Sequence, residues 1–200
     1  MQTWPKNCVD VISKGISLDD MMDMETSVVN NHVYLYSEIS SSGMMRFNSE
    51  LKRLELDHLS TAARMDSEPS PIYMHICSPG GELYSGFAAA DFIRSLRVPT
   101  VSIIEGYAMS AATLISTAAK KRQMHKHATM LIHQLSTVVW GKHSEIKEQI
   151  KNLDKDMETI KSWYLERTSL KSAALADLLK HDIHLSANEC LTYGLIDEVI

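Results

Sequence analysis

Ser110 stands in "GYAMSAATLI" (106–115), where an apolar run gives way to a nest of small residues. A serine hydroxyl is a weak nucleophile until a base takes its proton. The base must be oriented, and the oxyanion that forms needs preorganised donors. Taken alone, the stretch leaves Ser110 as a helix cap, a buried hydroxyl with a backbone partner, or a nucleophile. Nine histidines can supply a base. His32, His58, His125, His127 and His143 lie in polar runs and read as solvated, and His75 alternates with apolar residues as packing or surface. His133 differs because it ends the apolar run "TMLIH" (129–133), and sites in open α/β sheets form at strand ends. A lone histidine there is still more often structural. "SPGG" (78–81) is a turn by composition. Its glycines could simply close a strand-to-helix turn, or could bring a backbone N–H against a substrate carbonyl.

These residues need a frame. Strands are expected at 32–37, 72–77, 100–104 and 129–133, helices at 44–63, 82–96 and 108–119. Alternation with short turns implies a mainly parallel sheet covered by helices. A long helix follows at about 144–167, with Ile146, Ile150, Leu153, Met157, Ile160 and Tyr164 on one stripe. The stripe fits either core or a seam shared with another subunit. Ser186 and Glu189 form a capping-box pattern, Gly194 ends that helix, and "LIDEVI" (195–200) is a final strand. Residues 1–30 have weak periodicity and read as an arm or short helix ahead of one domain, 31–200.

The totals exclude several classes. A net charge of −5 with interspersed signs argues against nucleic acid as the main partner. The most apolar window, 98–119, is broken by Glu105 and Gly106, so no membrane span is expected, and the N-terminus lacks the apolar core of a secretory signal. Three scattered cysteines argue for a reducing compartment, and no Cys/His ligand pattern calls for a metal or cofactor.

"SPGG", "GYAMSAA", "MLIHQ" and "KHDIHLSANECLTYGLIDEVI" together resemble the proteolytic subunit of the Clp protease family, in that family's order and close to its spacing. The resemblance runs from about His32 to the C-terminus. It implies an α/β, crotonase-like spiral of ββα units with a protruding handle helix, which 144–167 fits. It implies an ATP-dependent serine endopeptidase in the cytoplasm: Ser110 as nucleophile, His133 as general base, Asp182 as orienting carboxylate, and the N–H groups of Gly81 and Ala111 as the oxyanion hole. From chemistry alone Asp197 and acids on the long helix compete with Asp182; the resemblance chooses Asp182. The implied assembly is a homo-oligomeric heptameric ring, single or double, enclosing unfolded polypeptide delivered by an AAA+ Clp ATPase.

Four departures from the family pattern stand out. The pair before Asp182 is Lys180–His181, where the family has an acid and an arginine that pair between rings. Leu135 replaces a proline, and "STVVWGKHS" (136–144) keeps only Gly141 of a glycine-rich segment. His75, Ser95, Gln123 and His125 stand where apolar residues usually line the ATPase docking pocket. The segment between nucleophile and base is short. Two other readings therefore remain: a catalytically silent or regulatory ring subunit, disfavoured because all three triad types are kept, and a crotonase-type acyl-CoA enzyme, which would not need Ser110.

Overall fold

The computed structural model describes residues 26–200. The N-terminal arm expected at 1–30 lies outside the described residues as far as residue 25. Its last part, Thr26–Val29, is strand β1, paired antiparallel with β2 (His32–Leu35).

From β2 onward most pairing is parallel. β2 lies beside β3 (Ile72–Ser78), and β3 beside β4 (Thr100–Met109). Helix α1 (Ser41–Met65) joins β2 to β3, and α2 (Leu83–Ser95) joins β3 to β4. β4 is twice the expected length and serves two neighbours. Its first half pairs with β5 (Lys121–Met124) and its second half with β6 (Thr129–Leu131). The bend between the halves falls at Gly106, whose φ of +74° suits a residue without Cβ. This splitting turns the strand–strand–helix units into the expected spiral. β7 (Leu185–Ser186) pairs antiparallel with β6, and β8 (Glu198–Val199) closes the edge beside β5.

Helix α3 (Ala111–Ala118) is buried on every residue, so its side chains are small or aliphatic by necessity. It starts three residues later than expected, because Ala108 and Met109 belong to β4. The long helix α4 (His143–Arg167) divides the expected stripe in two. Ile160, Trp163 and Tyr164 are buried against the domain, whereas Ile150 is 48% exposed and the first half projects. The Trp163 indole N–H donates to Thr117 Oγ1 at 2.9 Å, and Tyr164 reaches Thr113, so the inner half of α4 is pinned to α3. After α4 come α5 (Ser172–Leu178) and α6 (Ala187–Thr192). The Ser186–Glu189 capping box forms as expected. No helix among the described residues is long and apolar enough to cross a membrane.

Candidate active site

Three strands end at one place. β3 runs into Pro79–Gly80–Gly81, β4 into Ser110, and β6 stops two residues before His133. Ser110 occupies the turn from β4 to α3 at φ +52°, ψ −124°, a conformation a non-glycine residue adopts only under tertiary constraint. Its N–H donates to Leu131 O at 2.8 Å, tying it to β6. Its side chain caps nothing and has no hydrogen-bond partner among the described residues, which disposes of the cap and the satisfied buried hydroxyl.

The backbone holds that turn from the other side. Thr113 donates to the Ser110 carbonyl from both its N–H, at 3.0 Å, and its hydroxyl, at 2.5 Å. With that hydroxyl proton spent, the 2.5 Å contact between Thr113 Oγ1 and the Tyr164 hydroxyl has Tyr164 as donor. Burial raises the Tyr164 phenol well above its ordinary range, so it stays protonated and able to donate.

Two backbone donors face the turn. Ile39 donates to Gly80 O at 2.7 Å and accepts from Glu82 N–H at 2.9 Å. The N–H of Gly81, between them, therefore points to the opposite side. Ala111 is the first residue of α3, so its N–H has no acceptor within the helix. Gly80 and Gly81 sit at φ +91° and +148°. A Cβ on Gly80 would stand 2.8 Å from Ser110 Cβ, and one on Gly81 2.2 Å from Ile39 O. Neither position has space for a side chain.

His133 is 26% exposed on its side chain, and its Nδ1 lies 3.9 Å from Asp182 Oδ1, with Asp182 81% exposed. Asp197, the competing acid, is committed elsewhere: it pairs with Arg122, whose guanidinium also donates to the carbonyls of Arg167 and Gly194 at 2.9 and 2.8 Å. Asp156, on α4, accepts from the Tyr84 hydroxyl at 2.8 Å. Ser110, Gly81, Ala111 and His133 line one cavity of about 310 Å³. Leu83, Leu114, Leu135, Ile160 and Tyr164 give it an apolar side, and Glu38, Pro79 and Gly80 line it as well.

A family model for Clp protease matches residues 18–200. The chain belongs to the Clp protease family. It is 34% identical over 131 residues to the ATP-dependent Clp protease proteolytic subunit of Deinococcus radiodurans, a stretch covering 64% of this chain and 64% of that one. Proteolytic subunit 2 of Treponema denticola is 35% identical over 135 residues, 66% of this chain and 68% of that one. Among solved structures, a ClpP1 mutant from Listeria monocytogenes superimposes with a TM-score of 0.72 at 24% identity, over 91% of this chain and 94% of that one, a likeness of fold.

Several features escaped the sequence reading. Glu38 was not singled out, yet the pairing of Ile39 with Gly81 carries it to the cavity. His32 and His125, expected to be solvated, meet in a cluster on the Clp fold's sheet face. His32 Nδ1 lies 2.7 Å from His75 Nε2, and His75 Nδ1 2.7 Å from Glu105 Oε1. The Tyr36 hydroxyl donates to Glu105, and His125 Nε2 stands 3.5 Å from it. While His75 is neutral, with its Nδ1–H donating to the carboxylate, His32 Nδ1–H is the donor to His75 Nε2. His58, also expected in solvent, places Nδ1 2.7 Å from Ser70 O. Within the chain, His181 faces Asp177 of α5 at 3.9 Å. Glu145 accepts from Lys142 N–H at the start of α4.

Proposed function

We propose that this chain is a serine endopeptidase subunit that hydrolyses peptide bonds of unfolded polypeptides. The observation that carries the proposal is Ser110, held at positive φ beside the N–H groups of Gly81 and Ala111, with no partner for its hydroxyl among the described residues. Ser110 Oγ attacks the scissile carbonyl carbon while His133 Nε2 takes its proton. The Gly81 and Ala111 N–H groups stabilise the resulting oxyanion. His133 then protonates the leaving amine as the C–N bond breaks, leaving an acyl-Ser110. A water, deprotonated by His133, hydrolyses that ester and returns the proton to Ser110. Asp182 holds the imidazole with Nδ1 protonated and balances its charge during each transfer.

The apolar half of the cavity suits an apolar side chain on the acyl side of the cut, and the flanking segments 79–83 and 134–136 suit an extended peptide added as a strand. We place the chain in a homo-oligomeric ring, cytoplasmic and served by an AAA+ Clp ATPase. The relatives named as ATP-dependent proteolytic subunits support this reading. A regulatory variant of it draws support from the 3.9 Å gap between His133 and Asp182: assembly would close the triad, making the lone subunit inactive.

The test is hydrolysis of a fluorogenic peptide with an apolar residue before the cut, with native mass measured on the same sample. Activity should accompany the ring and fall about 10⁴–10⁶-fold in Ser110→Ala. Wild-type activity in Ser110→Ala would overturn the assignment.

A further inference from the structure

Glu38 lines the same cavity as Ser110 and His133, and among the described residues no lysine or arginine does. Apart from the buried Tyr164 phenol, Glu38 and His133 are the ionisable side chains there. Glu38 is exposed and has no hydrogen bond or ion pair among the described residues. Asp182, beside His133, adds charge of the same sign. The cleft thus presents a carboxylate that nothing among the described residues neutralises.

The backbone fixes which side of the cut this carboxylate serves. Ile39 pairs parallel with Gly81, which sets Glu38 level with Gly80. On the peptidase reading the Gly81 N–H meets the scissile carbonyl and the apolar lining, Leu83 included, takes the acyl side chain; Gly80 and Glu38, on the other side of Gly81 along the chain, then fall on the leaving-group side. Ile39 is 1% exposed and held by backbone hydrogen bonds to Gly80 and Glu82, so the Cα of Glu38 is anchored while its carboxylate reaches into solvent within the cleft.

Resting on the peptidase reading, we infer that Glu38 selects substrates carrying lysine or arginine in the first two positions after the scissile bond. Attraction comes from one carboxylate in a water-filled cleft, so it is modest and screened by salt. It discriminates most strongly against an acidic residue in the same positions, which would meet Glu38 as a like charge.

The test uses the assembled protein and three internally quenched peptides with leucine before the cut and lysine, glutamine or glutamate in the two positions after it. Wild type should show kcat/KM for the lysine peptide about three- to ten-fold above that for the glutamate peptide at low salt. The ratio should shrink toward one at roughly 0.5 M salt. Glu38→Gln should erase the order and Glu38→Lys should reverse it, a reversal that a purely structural role cannot produce. An equal ratio in wild type and Glu38→Lys, with the glutamine peptide cleaved by both, overturns the role of Glu38 and leaves the peptidase reading standing. Failure to cleave any of the three peptides, with Ser110 unreactive toward a fluorophosphonate, overturns both.

Discussion

Nδ1 of His133 lies 3.9 Å from Oδ1 of Asp182, beyond hydrogen-bonding distance, and the carboxylate is four-fifths exposed. The three residues that precede Asp182 explain the looseness. They follow α5 as a short connection anchored by Lys180 N–H to Asp177 O at 3.1 Å and His181 N–H to Leu178 O at 3.2 Å, and the carboxylate beyond them is open to solvent. In active sites generally, contacts that are long in the free protein tighten into hydrogen bonds when substrate binds.

Asp182→Asn should therefore cost less than loss of the nucleophile. Peptide hydrolysis should fall about 10⁴-fold, against up to about 10⁶ for Ser110→Ala. Steady-state kinetics on the two variants check the order; an Asp182→Asn protein as active as wild type would remove Asp182 from the triad.

Thr113 links the Ser110 turn to the long helix. Its hydroxyl donates to Ser110 O and accepts from Tyr164 inside the core. Thr113→Val keeps the shape, removes both bonds and leaves the buried Tyr164 hydroxyl without its acceptor. It should lower stability by about 1–3 kcal/mol and reduce kcat by loosening Ser110. Tyr164→Phe leaves Thr113 bonded to Ser110 and should cost about 1 kcal/mol with a smaller change in kcat. Denaturant unfolding and kcat on both variants separate the two effects.

The His32–His75–Glu105 chain sets a pH signature on stability. Burial, then the neighbouring His75 charge, hold His32 below its ordinary 6.5, with Glu105 opposing them. The unfolded chain therefore takes up that proton first, so stability should decline as pH falls through about 6.5 toward the lower folded value. Burial pushes Glu105 up, but the hydrogen bonds from Tyr36 and His75 outweigh it and leave the carboxyl below its ordinary 4.5. Its contribution is present above about 4.5 and is lost as pH falls below that value. Melting temperatures from pH 8 to 4 should show two steps, and His32→Asn should flatten the upper one. A single acid step unchanged in His32→Asn would contradict this.

The same cluster bears on docking. His75, Gln123 and His125, in positions where the family resemblance predicts apolar pocket walls, are engaged with Glu105 and Glu198. Inserting an aliphatic side chain there would desolvate these polar groups, at roughly 1–3 kcal/mol for each one left unpaired. Binding to a Clp ATPase that relies on an aliphatic docking loop should be weak or absent by sedimentation or by folded-substrate degradation. Tight, ATP-dependent degradation with such an ATPase would refute it.

How far the sequence could be read depended on where each signal lay. The helices at 41–65, 83–95 and 143–167 were legible because their apolar residues repeat at helical spacing within one segment. β5, "KRQM", was not: three polar residues and one methionine carry no alternation, and their strand geometry comes from pairing with β4 and β8. The extension of β4 through "EGYAM" was hidden by Glu105 and Gly106, which look like a break and are a bend. Ser110, His133 and the two glycines were visible as motif residues. Glu38 and the His32–His75–Glu105 chain were not, because each depends on residues drawn from separate strands by register alone.

The central claim is that Ser110 is an activated nucleophile, and labelling tests it directly. Treat the assembled protein with a fluorophosphonate, digest it, and locate the adduct by mass spectrometry, alongside His133→Ala and Ser110→Ala. The account predicts one adduct, on Ser110, formed quickly in wild type, about 10²-fold or more slowly in His133→Ala, and absent in Ser110→Ala. An unlabelled Ser110 in an assembled protein that still cleaves peptides, or equal labelling in wild type and His133→Ala, would contradict it.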